Sequence, residues 1–374
     1  RRSWDLRPEQ GSATRGARLA SPHPAGHTSR ASPSSQACAC GELRGHRGSP
    51  CHRGSMLGPP APTPFDPRVL RLYSALRQQG VDPQREGSWT RVRRGVWVES
   101  RAWSGLTPEQ QHAARAHATA LVCDPDMSWV FAHESAAAVW GLPRIETWPD
   151  AVRTLVVGAR LRGSPGVRPI RGGEADTVVV NGIRVTPVAR TVVDLARSAS
   201  LPTAVAAADH ALRHGLCTRA DLAEEADAVP SRLRGRPQVS LVVDLADGES
   251  MSAGESLSRV QMFRLGVPRP RLQVKHEDEH GLIGHVDFDW DGVVGEFDGK
   301  VKYRVPPDAD PGEAAEIVWR EKKREDRLRV GGQVARWTWE VALDRDRLGA
   351  VLAAKGIIPD PRMPWFSEGR RAAG

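Results

Sequence analysis

The stretch His285-Val-Asp287-Phe-Asp289-Trp-Asp291-Gly292-Val-Val-Gly-Glu296-Phe-Asp298-Gly-Lys300 decides how this chain is read. Asp291-Gly292 sits between two alternating runs, and Asp-Gly supplies the positive φ angles that a two-residue hairpin turn requires. Such a turn sets Trp290 opposite Val293, Asp287 opposite Glu296 and His285 opposite Asp298. Side chains alternate across a strand, so one face carries Val286, Phe288, Trp290, Val293 and Phe297 as a core. The other carries His285, Asp287, Asp289, Glu296 and Asp298, with Lys300 following in the same parity. Opposed residues have Cβ atoms about 5 Å apart, so facing carboxylates repel unless a cation lies between them. Mg2+ or Mn2+ takes oxygen ligands at about 2.1 Å and keeps several waters, which makes Asp287, Glu296 and Asp298 candidate metal ligands. Such an ion polarises a phosphoryl oxygen and acidifies a bound water for attack on phosphorus. Lys300, or the basic helix downstream, would steady the developing negative charge. The competing reading is a solvated acidic sheet face, against which the flanking Phe and Trp residues argue.

Working outward, the pattern predicts a helix over 253–265 and strands near 271–275, 284–290 and 293–298. A long helix follows over about 311–330, closed by Gly331-Gly332, then a strand over 333–338 and a C-terminal helix. Helix, three strands, helix, strand is a compact α/β layout. In the long helix Arg320, Lys323, Arg324 and Arg327 recur at spacings of three and four. They form a basic face on which Arg324 or Arg327 is expected to meet DNA phosphates and the rest to be solvated.

Several motifs in order give these residues a family likeness. Ser252-Ala-Gly-Glu255-Ser, Val286-Asp287-Phe288, Gly295-Glu296-Phe-Asp298-Gly299, Arg324-Glu-Asp326-Arg-Leu-Arg and Val334-Ala-Arg336-Trp-Thr-Trp follow one another over about 251–352. The region resembles the very-short-patch-repair-like domain of the PD-(D/E)xK nuclease superfamily. The resemblance implies a restriction-endonuclease-like α/β fold, with Asp287 the metal-binding Asp, Glu296 the second acid and Glu255 a helix carboxylate joining the site. It implies Mg2+ or Mn2+ as cofactor and Asp287, Glu296, Lys300 and Glu255 as the catalytic set. This chain departs from the pattern in one place. The superfamily usually has Lys two residues after the second acid, where Asp298 stands, and Lys300 follows two residues later.

The N-terminal half reads differently. Asp66 can cap a helix that Pro67 begins, with Leu70, Tyr73 and Leu76 as its apolar stripe and Gly80 as its end. Trp89-Thr-Arg91-Val-Arg93-Arg94-Gly95-Val-Trp97-Val alternates and turns at Arg94-Gly95, a small basic hairpin. A helix followed by such a hairpin suits a winged helix-turn-helix whose wing tracks phosphates through Arg91, Arg93 and Arg94. The stretch 81–88 is short for its second helix. Helices are expected over 107–122 and 133–140, and Asn181-Gly182 marks a second tight hairpin. Further helices are expected from Thr186-Pro187 to Leu195, over 202–214 and over 218–226. His133 is expected to pack or cap a helix, and Arg190 with Asp194 to form an ion pair within one.

Arg93-Arg94-Gly95-Val96-Trp97-Val98, His133-Glu-Ser-Ala-Ala-Ala-Val-Trp-Gly-Leu, Thr186-Pro-Val-Ala-Arg190-Thr-Val-Val-Asp194-Leu-Ala-Arg197 and Asp209-His-Ala-Leu-Arg-His-Gly-Leu resemble the AbiEi-type antitoxins of abortive-infection toxin–antitoxin systems. That resemblance spans about 66–226 and implies a DNA-binding repressor with a cognate toxin protein as partner.

The whole is expected to be α/β (α+β overall). The sequence divides into a disordered leader at 1–55, a winged-helix-like module at 56–150 and a middle domain at 151–230. A Pro/Arg/Gly-rich linker at 231–250, the nuclease-like domain at 251–358 and a flexible tail at 359–374 follow. Net charge is +8, but the leader holds nine Arg and three acids, leaving +2 for the other 319 residues, so global charge says little about DNA. The leader reads as upstream sequence, the first Met being Met56. Its Cys38, Cys40, Cys51 and His52 match no common zinc spacing, and Cys123 and Cys217 read as small buried hydrophobes. No apolar run approaches membrane-spanning length and no secretory signal opens the chain, so a cytoplasmic location is expected, with no membrane partner.

Overall fold

A computed structural model describes residues 65–122, 129–156, 165–171, 176–299, 311–362 and 365–366. The leader and Lys300 lie outside them, as do Cys38, Cys40, Cys51, His52 and Cys123. The described residues form a mixed α/β protein with three sheets.

The N-terminal part begins with a 3-10 turn, Pro67–Val69, capped by the Asp66 carboxylate, which accepts from Arg68 N–H. The helix expected here does not run on. Leu70 and Leu72 are extended, a short strand β1 (Arg71–Leu72) intervenes, and α1 (Tyr73–Gln78) starts late. The cause is tertiary: β1 pairs with the second arm of the basic hairpin, overriding local helical pattern. That hairpin is β2 (Trp89–Arg93) and β3 (Val96–Glu99), and the sheet order is β1-β3-β2. Residues 81–88 form turns organised around Asp82, whose carboxylate accepts from Gln84 N–H, so no second helix precedes the hairpin.

Two helices follow, α2 (Ser100–Gly105) and α3 (Pro108–Val122). A five-stranded sheet then takes its strands from β4 (Val130–Phe131), β5 (Val152–Val156), β6 (Val167–Arg171), β7 (Val178–Val180) and β8 (Ile183–Val185). Its order is β6-β5-β4-β8-β7, and α4 (His133–Trp140) lies between β4 and β5 in the chain. The β7–β8 turn is the expected one, with Asn181 at φ 48 and Gly182 at φ 84.

Helices α5 (Val188–Ser198), α6 (Leu201–Arg213), α7 (Arg219–Asp227) and α8 (Arg236–Leu245) come next. Helix α8 corrects the expected linker at 231–250. Its Val239, Val242 and Leu245 are buried in the largest apolar core, so the Pro/Arg/Gly composition marks a helix entry, not a tether. That core is continuous from Ala137 in α4 through α5–α8 to Trp365.

The last part holds α9 (Ala253–Leu265), β9 (Arg271–Asp278), β10 (Gly281–Asp289), β11 (Val293–Asp298), α10 (Pro311–Gly331), β12 (Gln333–Thr338), α11 (Trp339–Leu343) and α12 (Arg345–Ala353). The sheet order is β12-β11-β10-β9; β11 and β12 run parallel and the other pairs antiparallel. Helix α9 packs on the face that carries Phe288, Phe297 and Trp337, and α10 brings Leu328 to the other face. Contact with α9 is close: a Cβ added at Gly254 would overlap the Phe297 ring. Gly254→Ala should therefore cost about 1–3 kcal/mol in urea unfolding, as overpacking of a filled core does. An unchanged midpoint would show that the helix can lift off the sheet without penalty.

Candidate functional site

The β10–β11 hairpin has the expected turn and register. Asp291 and Gly292 adopt φ 52 and φ 102, Trp290 N–H donates to Val293 O over 2.9 Å, and Phe288 pairs with Gly295. Beyond Phe288 the ladder stops. Phe297 N–H donates to Asp287 Oδ2 over 2.8 Å, so the carboxylate takes the hydrogen that the facing strand would otherwise accept. The strands part at the level of Asp287 and Glu296.

The expected faces need correction. Gln273, across β9 from this level, has φ 48, a left-handed backbone inside a strand. Leu272 packs with Phe288 in the α9-side core, whereas Val274 and Val286 join Val294 and Leu328 on the α10 side. The two-residue alternation thus changes phase here, and Val286 is not on the face of Phe288. The expected shared acidic face is divided accordingly.

Asp287 and Glu255 come together. The Gln273 amide donates from Nε2 to Glu255 Oε2 over 3.1 Å and to Asp287 Oδ1 over 3.2 Å. Both carboxylates are buried, at 5% and 7% exposure. Glu255 is also held locally. Ser252 caps α9 by accepting Glu255 N–H over 3.2 Å, while its hydroxyl donates to Glu255 Oε1 over 2.8 Å. Met251 N–H donates to Glu255 Oε2 over 2.7 Å.

Glu296 is engaged elsewhere. Arg324 of α10 grips it with two nitrogens, at 2.6 and 3.3 Å, and Arg336 of β12 reaches Oε2 over 3.3 Å. Arg324 also donates to His285 O over 2.9 Å. Arg327 forks onto Asp278 and the Gly281 carbonyl, closing the β9–β10 turn, and holds the Asp278 carboxyl down to about 2. Both arginines expected at DNA phosphates thus hold intramolecular carboxylates, Arg324 on Glu296 and Arg327, partly exposed, on Asp278. Asp289 forms a separate cluster, accepting from Arg271 Nη2 at 2.5 Å, Asp291 N–H at 3.0 Å and His276 Nε2 at 2.7 Å. Burial opposes its ionisation, but these partners outweigh it and keep the carboxyl below its ordinary range. Asp298 Oδ1 is buried and finds no hydrogen-bond partner among the described residues.

Among the described residues, no three His, Cys, Asp or Glu side chains gather to hold a metal. The assembled part is the pair Asp287–Glu255, with Glu296 balanced by two guanidinium groups beyond it. Sequence reasoning missed Gln273, which carries no local signal. It also left Arg336 without a role, although parallel pairing of β11 with β12 places it beside Glu296.

In the N-terminal half, Arg91 and Arg94 are exposed on the basic hairpin and Arg93 is half-buried. A Cβ at Gly166, just before β6, would lie 3.3 Å from Arg93 Nη1. His133 Nδ1 meets Ser198 Oγ at 3.0 Å, and Arg190 pairs with Asp194 at 3.2 Å, both within the expected packing roles. No described helix is long and apolar enough to cross a membrane.

No family model matches the chain. It is 32% identical over 190 residues to the uncharacterized proteins MT2308 and Rv2248 from two strains of Mycobacterium tuberculosis. The match covers 51% of this chain and 69% of each relative. At that identity and coverage, the chain belongs to the same protein family as Mycobacterium tuberculosis Rv2248 and MT2308.

Proposed function

We propose that this is a DNA-binding protein whose 251–358 region is a Mg2+-dependent DNA endonuclease of the PD-(D/E)xK kind, fused to an AbiEi-like N-terminal module. It would act in the cytoplasm, with DNA as substrate and a cognate toxin protein as partner. The observation that carries the reading is the parted strand pair at Asp287, where that buried carboxylate is drawn to Glu255 of the adjoining helix. Two buried carboxylates fit a hard dication in donor chemistry, and Asp287 with Glu255 would hold Mg2+ or Mn2+. Such an ion, when bound, polarises a phosphoryl oxygen and lowers the pKa of its water. Glu296 on the inner strand β11 is held by Arg324 and Arg336, whose guanidinium groups would supply positive charge to a phosphodiester drawn to the pair. Lys300, the expected catalytic cation, lies outside the described residues. Supercoiled plasmid incubated with protein and Mg2+ should be nicked, and Asp287→Ala should lower the rate by at least roughly a hundredfold. Equal nicking by both proteins sinks the enzyme reading.

A second reading is favoured by the grip of Arg324 and Arg336 on Glu296 and by Asp298 in the usual Lys position. On it the nuclease fold is degenerate and the protein is an antitoxin-like repressor of its own operon. DNA from its own promoter should then bind without cleavage. Changing Arg91, Arg93 and Arg94 together to Ala should flatten the slope of log affinity against log salt by about two to three. An unchanged slope removes the basic hairpin from the interface.

A further inference from the structure

We propose that Gln273 fills the cation position between Glu255 and Asp287 in the metal-free protein, so that a divalent metal binds by displacing its amide. The inference rests on the reading of this carboxylate pair as a Mg2+ site and assigns that site a built-in competitor.

The geometry carries it. At φ 48 the Gln273 backbone leaves the extended conformation of β9 for the left-handed region that a non-glycine side chain adopts only under constraint. That turn aims the side chain at two buried carboxylates, with one nitrogen 3.1 Å from Glu255 Oε2 and 3.2 Å from Asp287 Oδ1. An amide nitrogen carries two hydrogens, one for each acceptor. The amide therefore occupies the position between the two acids that a shared cation would take. It relieves the repulsion of the two acids without a cation, and it must withdraw before they can close on one.

Gln273→Gly tests this cleanly, because glycine adopts φ 48 without strain while losing the amide. Mn2+ titration of the full chain, followed by calorimetry or by the electron spin resonance of free Mn2+, should give a Kd about tenfold lower than wild type. Asp287→Asn should abolish binding in both backgrounds. Gln273→Asn has an amide too short to bridge the pair and tolerates positive φ, so it should tighten binding too and serves if the glycine variant fails to fold. Unchanged or weaker binding in the Gln273 variants, with Asp287→Asn still silent, overturns the competitor role and leaves the metal site standing. Binding of Mn2+ by none of these proteins overturns both.

Discussion

Acidification from pH 6.5 to 4 is expected to remove about 6 kcal/mol of stability through two histidines alone. His112 and His117 are buried, at 0% and 3% exposure, and burial pushes each down to about 4. Each is neutral in the folded chain and protonated in the unfolded chain across this window. The unfolded state thus binds more protons, and stability rises with pH. The contribution is fully present above about pH 6.5, the unfolded value, and is lost as pH falls towards 4. Each histidine supplies about 3 kcal/mol of it. His112 shows the structural reason. Arg153 N–H donates to Ser135 Oγ over 2.9 Å, the Ser135 hydroxyl donates to His112 Nε2 over 3.0 Å, and His112 Nδ1–H donates to Pro149 O over 2.8 Å. A proton on Nε2 would face the serine hydroxyl with a second donor and leave its hydrogen without an acceptor. His117 lies against the Phe65 ring, 5.6 Å between centroids, where a charge finds no compensation. Urea unfolding at pH 7 and pH 4.5 measures the loss, and His117→Leu should shrink it by about 2–3 kcal/mol. A flat profile over that range would mean that water reaches these rings.

The same contrast between local and distant causes separates what the sequence made legible from what it hid. The Asp291-Gly292 turn and its register were readable, because two adjacent residues determine them. Helix α9 was readable at its observed bounds, because its pattern is set by residues within it. The division of the acids was not. It depends on Gln273 leaving the β conformation and on β12 arriving parallel to β11 with Arg336 beside Glu296, contacts made far along the chain. The partners of the basic stripe of α10 were hidden for a related reason. Spacings of three and four show that Arg324 and Arg327 share a face, but not that the face meets Glu296 and Asp278. In the N-terminal half, the first turn of the expected helix, at Leu70 and Leu72, is extended instead, because Arg71 and Leu72 pair with β3 and the helix starts only at Tyr73. Helix α8 was masked by its Pro and Gly entry although Val239, Val242 and Leu245 recur at helical spacing.

Arg259→Ala should destabilise the fold by about 3–5 kcal/mol, the usual consequence of stripping one partner from a buried ion pair. Arg259 and Asp209 are each 1% exposed and meet at 2.6 Å. Asp209 also accepts Asp247 N–H and the Ser256 hydroxyl, both over 2.7 Å. Arg259 spends its remaining donors on Leu245 O at 2.6 Å and Ser250 Oγ at 3.2 Å. Without the guanidinium, Asp209 keeps only neutral donors in an interior that disfavours its charge, and the Leu245 carbonyl loses its donor. Lysine cannot reproduce a fork that serves a carboxylate, a carbonyl and a hydroxyl together, so Arg259→Lys should recover only part of the loss. Replacing both partners, as Arg259→Met with Asp209→Leu, should be milder than Arg259→Ala, since no charge is left buried alone. If the double variant is the less stable of the two in urea, the energy lies in the fork's hydrogen bonds and not in the unpaired charge. The pair joins α6 to α9, and Ser256, bonded to Asp209, adjoins Glu255. The tie that holds the middle helices to the sheet-bearing part therefore also seats the helix carboxylate that Gln273 bridges to Asp287. Loss of Arg259 should loosen that carboxylate before it unfolds the chain, seen as weaker Mn2+ binding by folded Arg259→Ala at low temperature. Wild-type affinity in that variant would show that the Ser252 cap alone is enough to place Glu255.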